Sequence, residues 1–144
     1  MGLHPDGIVS LRSILDPKAL TRLQGHKNYV NAVAWSPEGR LLASGDGDGV
    51  VHLWDEATKQ SIRCLREHTD KILKLCFSSD GQFFASQGQD RTLIWDCSTW
   101  TAVCALNGPF PTQTYLPLDF SPNHRELATP DSDATIIRIW ELKA

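Results

Sequence analysis

Apolar and polar positions alternate over short stretches of the chain, and the stretches recur in a fixed order. Between Val30 and Trp35 the apolar residues Val30, Val33 and Trp35 stand among small or polar ones, the pattern of a half-buried strand. Ser36-Pro37-Glu38-Gly39 reads as a turn, because Pro presets φ and Gly accepts a positive φ. Residues 40–44 form the next predicted strand, Gly45 to Gly49 a hairpin turn, 50–54 a third strand and 61–65 a fourth. The same order returns with strands at 72–77, 82–86, 92–95 and 101–106, and again at 115–120, 125–129 and 135–140. Strands this close in sequence pair antiparallel without long crossovers.

The order has a period. Trp54-Asp55, Trp95-Asp96 and Trp140-Glu141 close the three segments at intervals of 41 and 45 residues. Leu23-Gln24-Gly25-His26, Leu65-Arg66-Glu67-His68 and Leu106-Asn107-Gly108-Pro109 open them. A period near forty residues marks one four-stranded unit repeated, and such units stack radially into an all-β propeller. Asp6 to Leu11 mirrors Asp48 to Leu53, so residues 6–12 read as the third strand of a preceding blade and 18–23 as its outer strand. The expected organisation is a single repeat array over 1–144: a partial blade at 1–23, repeat 1 at 24–65, repeat 2 at 66–106, and repeat 3 at 107–144 without its outer strand. At roughly 40–45 residues per blade the chain holds about three and a half blades, short of the 4–8 that usually close a ring. An incomplete ring in one chain is therefore expected.

Composition narrows the function classes. A net charge of −3 gives no basic footprint for nucleic acid. Lys59, Arg63, Arg66, Lys71 and Lys74 cluster, but Asp55, Glu56, Glu67 and Asp70 are interleaved with them, as on a solvated mixed surface. No apolar run is long enough to span a membrane. Met1-Gly2-Leu3-His4-Pro5-Asp6 places Asp6 where a myristoylation signal needs Ser or Thr. Cys64, Cys76, Cys97 and Cys104 form no metal-spaced pair, and reduced, buried thiols in a cytoplasmic protein are expected.

The ordered set Gly25-His26, Trp35 to Gly39, Leu42 to Gly45, Asp48-Gly49-Val50 and Leu53-Trp54-Asp55 resembles the WD-repeat (WD40) family, and the resemblance runs over residues 6–141. It implies a hydrogen-bonded His, Ser or Thr, Asp and Trp tetrad in each blade. Repeat 1 supplies His26, Ser44, Asp48 and Trp54, and repeat 2 supplies His68, Ser86, Asp90 and Trp95. Asp48 precedes its Trp by six residues and Asp90 by five, so one member of the second tetrad is expected out of register. Repeat 3 offers Thr129, Asp133 and Trp140, with Pro109 in place of the His and a spacing of seven that a β-bulge could absorb. Arg12 stands where the partial blade would have its Trp.

The resemblance also implies a non-catalytic scaffold that presents loops to a protein or peptide partner, with no cofactor. The family's binding positions map to Tyr29 and Asn31, Lys71 and Leu73, Thr114 and Leu116, with Gly47, Gln89 and Ser132 lining the same face. In the family an N-terminal outer strand completes the last blade. Two chains exchanging Lys18 to Leu23 would form a closed homodimer, with residues 6–12 displaced. An alternative expectation is a truncated C-terminal sensor segment of a larger NTPase- or kinase-linked WD-repeat protein.

Other motifs have plainer readings. His26, Ser44 and Asp48 have the residue types of a hydrolase triad, but Ser44 lacks a Gly-x-Ser-x-Gly elbow and the tetrad accounts for all three. Asp46-Gly47-Asp48-Gly49 lacks the Glu of a calcium loop, since Ala57 holds the twelfth position. His4-Pro5-Asp6 shows none of the helical context of a chaperone-binding tripeptide, and His52 and His124 stand alone in sequence.

Overall fold

The computed structural model describes residues 7–12, 14–16, 18, 20–106, 118–123, 125–130 and 137–142. Every regular element among them is a strand. The strands are β1 (Val9–Arg12), β2 (Leu20–Leu23), β3 (Val30–Trp35), β4 (Leu41–Asp46), β5 (Val51–Asp55) and β6 (Gln60–Leu65). They continue as β7 (Ile72–Phe77), β8 (Phe83–Gly88), β9 (Thr92–Asp96), β10 (Thr101–Leu106), β11 (Asp119–Phe120), β12 (Glu126–Pro130) and β13 (Ile137–Glu141). Sequence neighbours pair antiparallel into sheets β1-β2, β3-β4-β5-β6, β7-β8-β9-β10 and β11-β12-β13. The all-β, four-stranded blade architecture expected from the period is therefore present. The expected start of the strand at 115–120 and the expected residues 135 and 136 lie outside the described residues.

Burial follows position within each blade. The second strands β4 and β8 are almost wholly buried, because each has a strand on both sides and a sheet against its faces. The outer strands β6 and β10 are exposed at every position but the last. This corrects the expectation of buried thiols: Cys64 and Cys104 lie on these outer strands and are exposed. Cys76 and Cys97 are half-buried, and burial pushes both thiols up to about 12, so they stay protonated and unreactive.

Among the described residues there is no central core. Apolar side chains collect between successive sheets in three clusters. Val9, Leu23, Val30, Leu42 and Trp54 join the two-stranded sheet to blade 1. Leu53, Leu65, Ile72, Leu75, Phe84 and Trp95 join blade 1 to blade 2. Ile94, Leu106, Leu118, Phe120 and Leu127 join blade 2 to the three-stranded sheet. Each blade buries its faces only by stacking on its neighbours, the arrangement expected of a repeat fold. The first turn is built twice in the same way: Gly39 and Gly81 take φ of 73° and 75°, and their N–H groups donate to Ser36 and Ser78 at 2.9 and 3.0 Å. The Ser36 and Ser78 hydroxyls accept from Leu41 and Phe83 at 3.0 and 2.9 Å, closing the turn onto the next strand.

Candidate functional site

Two complete tetrads stand at the centres of blades 1 and 2. In blade 1, Trp54 Nε1 donates to Ser44 Oγ at 2.8 Å. Ser44 Oγ lies 2.6 Å from His26 Nε2, and His26 Nδ1 lies 2.7 Å from Asp46 Oδ2. With the imidazole neutral, the proton order is fixed. The indole only donates, the Ser44 hydroxyl then donates to Nε2, and Nδ1–H donates to the carboxylate. Asp46 also accepts from the backbone N–H of Asp48 at 2.9 Å and of Val50 at 3.0 Å, so one carboxylate closes both the network and the hairpin. Burial alone would raise the Asp46 carboxyl, but the bonds from His26, Val50 and Asp48 outweigh it and hold the group below its ordinary value.

The carboxylate of blade 1 is therefore Asp46 and not Asp48. Asp48 is exposed and accepts from Asn28 Nδ2 at 2.9 Å. The reason is positional: Asp46 ends the buried strand β4 beside His26, whereas Asp48 falls in the turn.

Blade 2 corrects the expectation of a register defect. Trp95 Nε1 donates to Ser86 Oγ at 2.9 Å, Ser86 Oγ lies 2.7 Å from His68 Nε2, and His68 Nδ1 lies 2.8 Å from Asp90 Oδ1. The missing residue comes out of the turn, which Gly88 N closes on Arg91 O where Asp46 N closes on Val50 O. The strands keep their faces: Leu42 opposes Trp54 and Phe84 opposes Trp95. In the third sheet, Trp140 Nε1 donates to the buried Thr129 Oγ1 at 2.8 Å. Asp133 lies outside the described residues.

His52 is a network member that sequence reading missed. Its ring stacks on Trp54 at 5.2 Å, meets the His26 ring edge-on at 4.4 Å, and places Nδ1 2.9 Å from Ser61 Oγ. Burial pushes this imidazole down to about 4, helped by the neighbouring His26. The available signal was the position two residues before the blade Trp, which carries Leu93 in blade 2.

The loops above the tetrads gather part of the expected binding face. Tyr29 N donates to Asn28 Oδ1 at 2.7 Å, and Gly47 N donates to Tyr29 O at 2.9 Å. Blade 2 repeats this: Lys71 N donates to Asp70 Oδ1 at 2.8 Å, and Gln89 N donates to Lys71 O at 3.0 Å. Tyr29 is 56% exposed, Asn31 is exposed, and Gly47, Lys71 and Leu73 are half-buried. Gln89 is only 7% exposed and offers its backbone to Lys71 more than a surface to a partner. Thr114, Leu116 and Ser132 lie outside the described residues.

Chemically the tetrads are closed. Ser44 and Ser86 have no exposed surface, so neither hydroxyl can reach a substrate in this structure. Among the described residues no three His, Cys, Asp or Glu side chains are arranged to hold a metal ion. No helix among them is long and apolar enough to cross a membrane.

Repeated blades, each tied by an indole–hydroxyl–imidazole–carboxylate chain, define a propeller of the WD-repeat class. The WD40 family pattern (WD domain, G-beta repeat) matches residues 17–55 and 59–96, and the chain belongs to that family. Protein HIR1 of Cryptococcus neoformans var. neoformans serotype D is 35% identical over 117 residues, covering 77% of this chain and 13% of that protein. Small ribosomal subunit protein RACK1z of Oryza sativa subsp. japonica is 40% identical over 94 residues, covering 65% of this chain and 28% of its own length. A component of chromatin assembly factor 1 from Gallus gallus is 34% identical over 110 residues, covering 61% of this chain and 19% of that protein. A chain in the crystal structure of the mitotic checkpoint complex superposes with a TM-score of 0.82 at 22% identity, covering 95% of this chain and 42% of that one. The chain thus spans between 13% and 28% of these three relatives.

Proposed function

We propose that the chain is a non-catalytic scaffold that binds a protein or peptide through the face carrying Tyr29. One observation carries the reading: an aromatic ring more than half exposed stands on a backbone pinned on both sides, by Asn28 and by Gly47. An anchor held in place loses little entropy on binding, and aromatic anchors dominate interface energies. Lys71 occupies the equivalent position of the next blade and adds a charge, and Leu73 adds an apolar contact. Two of the relatives are named as parts of larger assemblies, a small ribosomal subunit and a chromatin assembly factor, which supports a scaffold role. The sealed hydroxyls of Ser44 and Ser86 support the absence of catalysis at the tetrads.

The test is a pull-down followed by quantitative binding of the recovered partner. Tyr29→Ala or Lys71→Glu weakens that partner, and substitution of Glu38 on the opposite-face turn leaves it unchanged. A set of recovered partners none of which responds to Tyr29→Ala or Lys71→Glu overturns the assignment of this face.

The same reading extends to self-assembly. Among the described residues β13 pairs only with β12, and β1 and β2 pair only with each other. A second copy of the chain supplies strands complementary to these edges.

A further inference from the structure

The face opposite Tyr29 holds a cavity of about 320 Å³ between blades 1 and 2. Its apolar wall is made by Leu41, Ile62, Phe77 and Trp100. Phe77 and Trp100 meet at 6.2 Å with their rings nearly perpendicular, and both pack on the buried Phe84. Ile62, at the mouth, is 53% exposed. A second cavity, of about 470 Å³, shares Gly81 and Cys97 with the first and adds Phe83 and Asp96 to its lining. The first cavity runs as a trough along the junction of blades 1 and 2, and the second, lined by blade 2 residues, adjoins it at Gly81 and Cys97.

Two features mark this trough as more than a packing gap. The first is backbone strain. Trp100 sits at φ 54°, in the left-handed region that bulky residues rarely occupy. The same turn of blade 1 carries Lys59 at φ 58°, and both residues donate their N–H to the Asp that follows the blade Trp, so the conformation is built into the repeated turn. In blade 2 this turn holds an indole in the wall of the trough, against Phe77 and Phe84. The second feature is charge. Glu38 and Asp55 line the trough and Asp96 the adjoining cavity, and the cation among the described lining residues is Arg40, 4.0 Å from Glu38. The Asp96 carboxyl is held below its ordinary value by hydrogen bonds from Ser98 and is ionised at neutral pH.

We propose that this trough is a second docking site, taking an extended peptide that inserts one large apolar side chain against Trp100 and flanks it with Lys or Arg. The apolar wall receives the side chain. The surplus of carboxylates on the rim receives the flanking cations and disfavours an acidic segment. A peptide supplies both chemistries at once, an apolar side chain with cations on either side of it. Both walls come from complete four-stranded sheets, so the site does not depend on how the ring closes, nor on the binding face of Tyr29.

The test uses the full chain and a synthetic peptide, Ac-Gly-Arg-Leu-Lys-Gly-NH2, with Ac-Gly-Glu-Leu-Glu-Gly-NH2 as the control. The five tryptophans give five indole N–H signals by NMR, and the one lost in Trp100→Gly is that of Trp100. The basic peptide shifts the Trp100 signal saturably and the acidic peptide does not. Glu38→Lys, a change on an exposed turn that leaves the fold intact, weakens the basic peptide by about three- to tenfold. Trp100→Gly, which relieves the backbone, abolishes binding, and Tyr29→Ala leaves it unchanged. The proposal is overturned if millimolar basic peptide leaves the Trp100 signal in place, or if both peptides shift it equally. It is also overturned if the signal moves with protein concentration alone, which would make a second copy the occupant.

Discussion

Asp46 and Gly88 hold the same position in successive blades, two residues after the tetrad serine, yet only one of them carries the carboxylate that binds the histidine. In blade 2 the carboxylate arrives from Asp90, two residues further on, and Gly88 leaves the room for it. A Cβ built on Gly88 would overlap Asp90 Oδ1 and stand 2.5 Å from His68 Nδ1. Two backbone routes therefore deliver one chemical group to one place. Asp46→Ala is expected to cost about 1–3 kcal/mol, since it strips a buried imidazole of its acceptor and two turn N–H groups of theirs. Asp48→Ala should stay within about 0.5 kcal/mol, as an exposed change. Gly88→Ala should destabilise blade 2. Chemical denaturation of the three variants checks the ranking, and an Asp48 loss equal to that of Asp46 contradicts it.

The two intact tetrads should be equivalent in stability. His26→Ala and His68→Ala each remove a ring that links hydroxyl to carboxylate, and each should cost about 1–3 kcal/mol. Trp54→Ala also removes a large side chain from the junction with the first sheet and should cost about 3–5 kcal/mol. Thermal melts in which His68→Ala is silent would mean that the second network does not hold in solution.

The repeat period, the strand order and the Trp–Ser pairing were all legible in the sequence. They depend on alternation and spacing, which the chain displays openly. Three features were not. Asp46 and Asp48 are the same residue type in one Asp-Gly-Asp-Gly run, and only the closure of the turn onto Asp46 Oδ1 decides between them. The apparent slip in repeat 2 could not be assigned to turn or strand from a count of residues alone. The exposure of Cys64 and Cys104 depends on what covers an outer strand, and alternation does not report that. The positions 114, 116, 132 and 133 lie outside the described residues, so that part of the reading stays with the sequence.

Buried imidazoles set a pH dependence. Burial lowers His52 from 6.5 to about 4 and also lowers His68. Between these values the unfolded chain binds protons that the folded chain refuses, so stability rises with pH across this window and falls as pH drops from about 6.5 towards 4. After solvent screening, His52 contributes on the order of 1–2 kcal/mol to that fall. Asp46 and Asp90 are lowered instead, so their contribution is present above the ordinary carboxylate value and is lost only in more acid solution. His52→Leu, which installs the residue type of blade 2, should flatten the melting temperature between pH 6.5 and 4. An unchanged slope in that variant would remove His52 as the cause.

The last prediction concerns the open edge. Strand β13 presents Ile137 and Ile139, 53% and 61% exposed, with Arg138 between them. Among the described residues its outer side has no partner strand. An edge strand that carries exposed isoleucines is a template for another strand, and sheets left this way associate. The proposed self-assembly covers that edge with a strand from a second copy. Light scattering should then show a mass that rises with concentration in the micromolar range. Lysine is a residue that natural edges use to block pairing, so Ile139→Lys should shift the equilibrium towards monomer while leaving the tetrads of blades 1 and 2 intact. A cooperatively folding monomer at every concentration, with or without the substitution, would rule the assembly out.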